Sequence, residues 1–142
     1  MIRLERVTGA LPSGLDAMRA EARAENHTML DTLTNEWESG KTRFNRPGEA
    51  LYAAYVDDAL AGIGGLTVEP GIPHAYRMRR FYVGRRFRRT GVARALSSAF
   101  LNANPGATVS ANAAAGSEPF WEALGFVRNQ CDGFTHTHIL GR

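Results

Sequence analysis

The chain has a single cysteine, Cys131, which excludes an intramolecular disulfide framework. No Cys/His spacing resembles a zinc site, and no metal is expected. No apolar run approaches the roughly 20 residues that cross a bilayer. The opening stretch MIRLERVTGA lacks the apolar segment of a secretory signal, so a cytoplasmic protein without a membrane partner is expected. A further absence is local. Between Pro70 and Ser117 there is no Asp or Glu, yet Arg77, Arg79, Arg80, Arg85, Arg86, Arg88, Arg89 and Arg94 all fall there. That segment carries +8 of a formal net charge of +3, which leaves −5 for the remainder. Segregated signs point to a place where anions are held, with a solvated basic face as the alternative.

What is present suits one compact domain spanning residues 1–142, with 44% hydrophobic residues to build its core. IRLERV reads as a first strand. Leu15, Met18 and Ala22, then Met29, Leu30, Leu33 and Trp37, recur at helical spacing, with Ser13 as the expected first cap and Gly40 as a stop. EALYAAYV and ALAGIGGLTVE read as a hairpin turning at Asp57 and Asp58. YRMRRFYV alternates imperfectly, which predicts a bulge. A helix follows from about Thr90 to Asn104, with Val92, Leu96, Ala99 and Phe100 on its apolar face. ATVSANA is a strand, SEPFWEALG a short helix capped by Ser117 and stopped by Gly125, and FVRNQ and FTHTHIL are closing strands. The order predicts a mixed α/β sandwich and not a doubly wound sheet.

RRFRRTGVARAL, residues 85–96, joins a strand to that long helix. The first N–H groups of a helix lack internal partners and carry partial positive charge, so a phosphate docks there. Gly91 allows close backbone approach, and Arg88 and Arg89 can add charge-assisted bonds. The alternative is an ordinary capped helix beside a basic loop.

Arg88-Arg89-Thr90-Gly91-Val92-Ala93 resembles the Arg/Gln-x-x-Gly-x-Gly/Ala acyl-CoA signature of the GNAT acetyltransferase superfamily. RRFYV just before it is similar to the family's strand, FWEALGF about thirty residues later is similar to its FYEKLGF, and the order of elements matches along nearly the whole chain. The resemblance implies a three-layer GNAT-like fold with a mixed, splayed sheet of about seven strands and about four helices. It implies acetyl-CoA as cosubstrate, held in the gap between two central strands. Backbone groups of Phe81, Tyr82 and Val83 would meet the pantetheine and thioester, with the Val83 N–H polarising the thioester carbonyl. The amides of Arg88, Arg89, Thr90, Gly91, Val92 and Ala93 would wrap the diphosphate. Asn112 would take the family's pantetheine-contacting position, given two extra residues before the last helix.

The catalytic side chains depart from the family pattern. Trp121 stands where many members have a tyrosine acid, and Tyr82 is the nearest substitute, with water as the alternative. Arg77 stands where many have a glutamate base, which leaves Glu69 and His74 as the nearest candidates. A lysine-like amine costs roughly 4–5 kcal/mol to deprotonate at neutral pH and an α-amine about 1, which favours a less basic acceptor or a base from elsewhere. Acidic residues Glu21, Glu25, Asp31, Glu36 and Glu38 could attract a cationic amine, and Trp37, Phe44 and Tyr55 could line its pocket. His136 and His138 share a strand face, with packing or solvent exposure as their expected role. The expected activity is direct acetyl transfer to a primary amine, on a small molecule or a peptide, by a chain that could dimerise. A catalytically silent acyl-CoA-binding domain is the alternative. A nucleic-acid module is less favoured, because no helix-turn-helix or interleaved aromatic pattern accompanies the arginines.

Overall fold

The computed structural model describes residues 1–111, 118–128 and 136–139. The elements are β1 (Ile2–Arg6), α1 (Leu15–Ala24), α2 (Met29–Ser39), β2 (Ala50–Val56), β3 (Ala59–Val68), β4 (Ala75–Val83), α3 (Val92–Ala103), β5 (Thr108–Ala111), α4 (Glu118–Ala123), β6 (Val127–Arg128) and β7 (His136–Ile139). They build one mixed sheet in the order β1-β2-β3-β4-β5-β7-β6. Its one parallel pair among the described residues is β4 with β5.

Helical periodicity decides how the sheet is covered. Leu15, Met18 and Ala22 of α1, with Leu30, Leu33 and Trp37 of α2, bury against Leu51, Ile63 and Tyr82 on one face. On the other face, Val92 and Leu96 of α3 bury against Ala54 and Ala61, while Phe100 and Trp121 pack with Leu66, Met78 and Val109. The result is three layers: helices, sheet, helices. In α3 it is Ser97, not Ala99, that is fully buried beside Leu96. The cap before α1 is Gly14 at φ 92°, not Ser13.

Two irregularities shape the centre of the sheet. The β2–β3 hairpin turns at Asp57 and Asp58, both left-handed (φ 48° and 66°), as a two-residue loop matching the strand twist requires. In β4, Gly65 pairs with Arg79 and Ile63 with Tyr82, so Arg80 and Phe81 together oppose Gly64. Arg80 takes the extra place with φ 59°, which is a β-bulge. Gly65 is demanded here, because a Cβ would lie 2.4 Å from the Phe44 ring.

The bulge coincides with a loss of pairing on the other edge. β5 follows β4 only over Ala75–Arg77, and beyond Arg77 no β5 partner is paired to β4 among the described residues. At Ala111 the strand β5 pairs with His136 of β7. Among the described residues, β4 has no partner on its β5 side along Met78–Val83, and the sheet opens there.

Candidate active site

Hydrogen-bond alternation fixes what the opened edge offers. The Gly84 N–H donates to the Ala61 carbonyl at 2.8 Å, so Tyr82, two residues back, also pairs toward β3. The intervening Phe81 and Val83 then turn their N–H and C=O groups to the open side. The Val83 carbonyl accepts the Arg88 Nε–H at 3.0 Å, consistent with that direction.

From Val83 the chain makes a single 3₁₀ turn, Arg85–Phe87, and enters α3 through two left-handed residues, Arg89 (φ 64°) and Gly91 (φ 91°). Such alternation curls successive N–H groups around a concavity suited to an anion. The amides of Arg89, Thr90, Gly91, Val92 and Ala93 have no hydrogen-bond acceptor among the described residues. The Thr90 hydroxyl donates to the Phe87 carbonyl and tightens the turn. Glycine at position 91 is required by its backbone angle rather than by crowding, since a Cβ would meet only Ile2 Cδ1 at 3.8 Å.

The loop is clasped from below by α1. The Arg88 guanidinium donates to both Glu25 oxygens, at 2.6 and 2.9 Å, a bidentate pair. Glu21 accepts the Arg85 backbone N–H at 2.8 Å. The buried Tyr82 hydroxyl lies 2.6 Å from Glu25 Oε1 and 2.9 Å from Glu21 Oε1, and its one proton sits between two carboxylates. The bonds from Arg88, then from Tyr82, hold the Glu25 carboxyl down at about 2. Burial, then the two carboxylates, pushes the Tyr82 phenol well above its usual range.

These contacts bear on several expectations. The Arg88 side chain is committed to Glu25 and Val83, so it is a brace for the loop and not a free phosphate ligand; its backbone N–H also bonds the Arg85 carbonyl at 3.4 Å. Arg89 is exposed, and Arg86 lies over the Phe87 ring at 4.7 Å. Tyr82 turns its backbone N–H and C=O toward β3, and a phenol whose proton is shared by two carboxylates is a poor proton donor. Glu69 and His74 stand at the start of β4: the Glu69 N–H donates to the Ala75 carbonyl, and Glu69 pairs with Arg77 at 3.1 Å. His74 is exposed there with φ 55°. Eight residues of strand at ~3.3 Å each separate that end from Val83, about 25 Å, so neither lies near the Val83 amide.

Of the five carboxylates expected to attract a cationic amine, Glu38 is exposed and the other four are already engaged. Asp31 is held by Arg19 and Arg23, and Glu36 by Arg80 at 2.9 Å, in addition to the Glu21 and Glu25 contacts. Trp37 and Phe44 are core residues, and Tyr55 packs under Arg3. Trp121 is buried in edge-to-face contact with Phe81, Phe120 and Phe126. Asn112, Ser117 and Cys131 lie outside the described residues; His136 and His138 are described only as backbone, opposite Ala111 and Val109. Sequence spacing gave no sign of the Glu25–Arg88 clasp, whose partners are 63 residues apart.

No helix among the described residues is long and apolar enough to cross a membrane. The acetyltransferase (GNAT) domain family matches residues 16–139. Among solved structures, the chain resembles a protein of Exiguobacterium sp. 255-15 proposed to be an acetyltransferase (TM-score 0.86, 20% identity, 98% of this chain and 93% of that one). It also resembles the Bacillus subtilis N-acetyltransferase YlbP in complex with coenzyme A (TM-score 0.66, 16% identity, all of both chains). The GNAT family N-acetyltransferase YhbS of Escherichia coli, in complex with CoA, is similar as well (TM-score 0.66, 18% identity, 98% of this chain and 80% of that one). No curated protein sequence matches the chain. With the family match covering nearly its whole length, on a sheet that opens beside an amide-lined turn, the chain belongs to the GNAT acetyltransferase family.

Proposed function

We propose that the protein transfers the acetyl group of acetyl-CoA directly to a primary amine, in a ternary complex. The observation that carries the reading is the run of unpartnered amides from Arg89 to Ala93 at the mouth of the opened β4 edge. Those amides and the α3 dipole would take the diphosphate. The outward N–H groups of Phe81 and Val83 would receive the pantetheine arm and polarise the thioester carbonyl, and Asn112 would touch the same arm. The amine nitrogen bonds to the carbonyl carbon, the nitrogen gives up a proton to water, the C–S bond breaks, and the sulfur departs with its electron pair. A thiol of pKa ~8.5 leaves adequately as thiolate, so water can supply its proton and no side-chain acid is required. The ammonium proton goes to solvent before attack, which favours a weakly basic amine. Positioning and carbonyl polarisation then supply most of the acceleration. The single cysteine supports a reducing, cytoplasmic setting.

A second reading is a silent CoA-binding domain. It is favoured by Trp121 in the core and by the commitment of the Tyr82 hydroxyl to two carboxylates. Thermal shift with CoA, followed by thiol release across a panel of amines, separates the two. Binding with turnover upholds transfer; binding without turnover on any amine upholds the silent domain. No shift with CoA removes both.

A further inference from the structure

The bulge in β4 has a consequence for which acceptor fits. Arg77 and Arg79 pair with Thr67 and Gly65, so they lie on the face covered by α1 and α2, and the inserted Arg80 bonds Glu36 of α2 on that same face. Arg77 is neutralised by Glu69 and Arg80 by Glu36. Arg79, between them, is half-buried and makes no hydrogen bond, ion pair or ring contact among the described residues. Burial, reinforced by the Arg80 cation, holds its pKa below the usual arginine value. A guanidinium carries five N–H donors, and a charge partly removed from water is ordinarily paired. Arg79 also sits just past Arg77, where β5 departs, and two residues before Phe81. The opposing residue in β3, Gly65, is covered by the Phe44 ring, so Arg79 has no side-chain partner across the strand pair.

We infer that Arg79 anchors an acceptor subsite for an anionic group, so that the substrate is a primary amine bearing a carboxylate or a phosphate. The inference rests on the acetyltransferase reading above and names its substrate class. The remaining charges agree with it. Glu21, Glu25, Asp31 and Glu36 already have cationic or hydrogen-bonding partners and do not recruit a polycation.

The test compares matched probes with acetyl-CoA: β-alanine against β-alaninamide for a carboxylate, and phosphoethanolamine against ethanolamine for a phosphate. The anionic group makes the amine more basic, so a preference for it runs against reactivity and reports binding. The expected result is at least a tenfold higher kcat/KM for the anionic member of one pair. Arg79→Gln should erase that advantage, chiefly through KM, leaving the neutral member's rate and the CoA thermal shift unchanged. Which pair responds identifies the anion. If no probe turns over, titration of N-acetyl-β-alanine against N-acetyl-β-alaninamide, and of N-acetyl-phosphoethanolamine against N-acetylethanolamine, into the CoA-bound protein decides in the same way. A tenfold preference lost in Arg79→Gln upholds the subsite. Equal treatment of both pairs, or a preference that survives Arg79→Gln, overturns it while leaving the acetyltransferase reading intact. A wild type that gives no shift with CoA instead overturns that reading.

Discussion

Replacing Glu25 with glutamine tests whether the arginines of the connecting loop brace the protein or wait for a ligand. The Glu25 carboxyl falls from 4.5 to about 2 in the folded chain, through its bonds from Arg88 and Tyr82. A drop of about 2.5 at ~1.36 kcal/mol each is at most ~3.4 kcal/mol. Arg88 and Arg85 are 42% and 71% exposed, so water screens much of that and about 1.5–2 kcal/mol is the reasonable expectation. Because the folded pKa is depressed, this stability is fully present above pH ~4.5–5 and disappears as pH falls toward 2. Glu25→Gln should therefore lower Tm by roughly 5 °C at pH 7, and the gap from wild type should narrow progressively below pH 5. Urea unfolding at pH 7 and at several values between 5 and 3 reads both quantities, with Arg88→Met and the double variant closing the cycle. A coupling below about 0.3 kcal/mol, or a gap independent of pH, refutes the clasp as an energetic element.

Other substitutions probe the remaining parts. Gly91→Val forces a β-branched residue to φ 91°, costs about 1–2 kcal/mol, and should abolish the CoA thermal shift; an unchanged shift refutes the anion site. Tyr82→Phe removes a hydroxyl shared between two carboxylates, so stability should fall by about 1 kcal/mol with kcat within about threefold of wild type. A loss of 10² or more in kcat would restore its role as the acid. Gly65→Ala drives a methyl into the Phe44 ring at 2.4 Å and should destabilise by about 1–3 kcal/mol in urea, while a neutral effect would mean the ring moves freely.

Much of the architecture could be read from periodicity. Leu15, Met18 and Ala22 announce the buried face of α1, and paired aspartates between two apolar runs announce the hairpin. The broken alternation of YRMRRFYV correctly marks the bulge, because an extra residue disturbs the two-residue period directly. Charge partnerships were not legible in the same way. Glu25 and Arg88, or Glu36 and Arg80, meet only once α1 and α2 have docked on the sheet, and nothing local encodes that encounter. Glu69 and His74 looked near the chemistry because a nine-residue strand is short in sequence, although it is long in space.

The same distinction favours backbone amides over the conspicuous arginines as anion ligands in the proposed cofactor loop. A guanidinium on a flexible stem must lose rotamer freedom to hold a phosphate, and Arg88 also has a competing partner in Glu25. An amide fixed by Arg89 and Gly91 in left-handed conformations is already aimed, so its ordering cost is met during folding. The α1 carboxylates then gain a purpose compatible with the basic segment's composition. They neutralise the braces and fix the turn, while the loop amides and the helix dipole, which no side chain has neutralised, remain to meet the ligand. On this account, removing Arg89 should weaken CoA binding modestly and in a salt-dependent way. Distorting the turn at Gly91 should weaken it severely at any ionic strength, and isothermal titration across salt concentrations separates the two. A steeper loss for Arg89→Ala than for Gly91→Val would mean that side-chain charge, and not preorganised backbone, holds the cofactor.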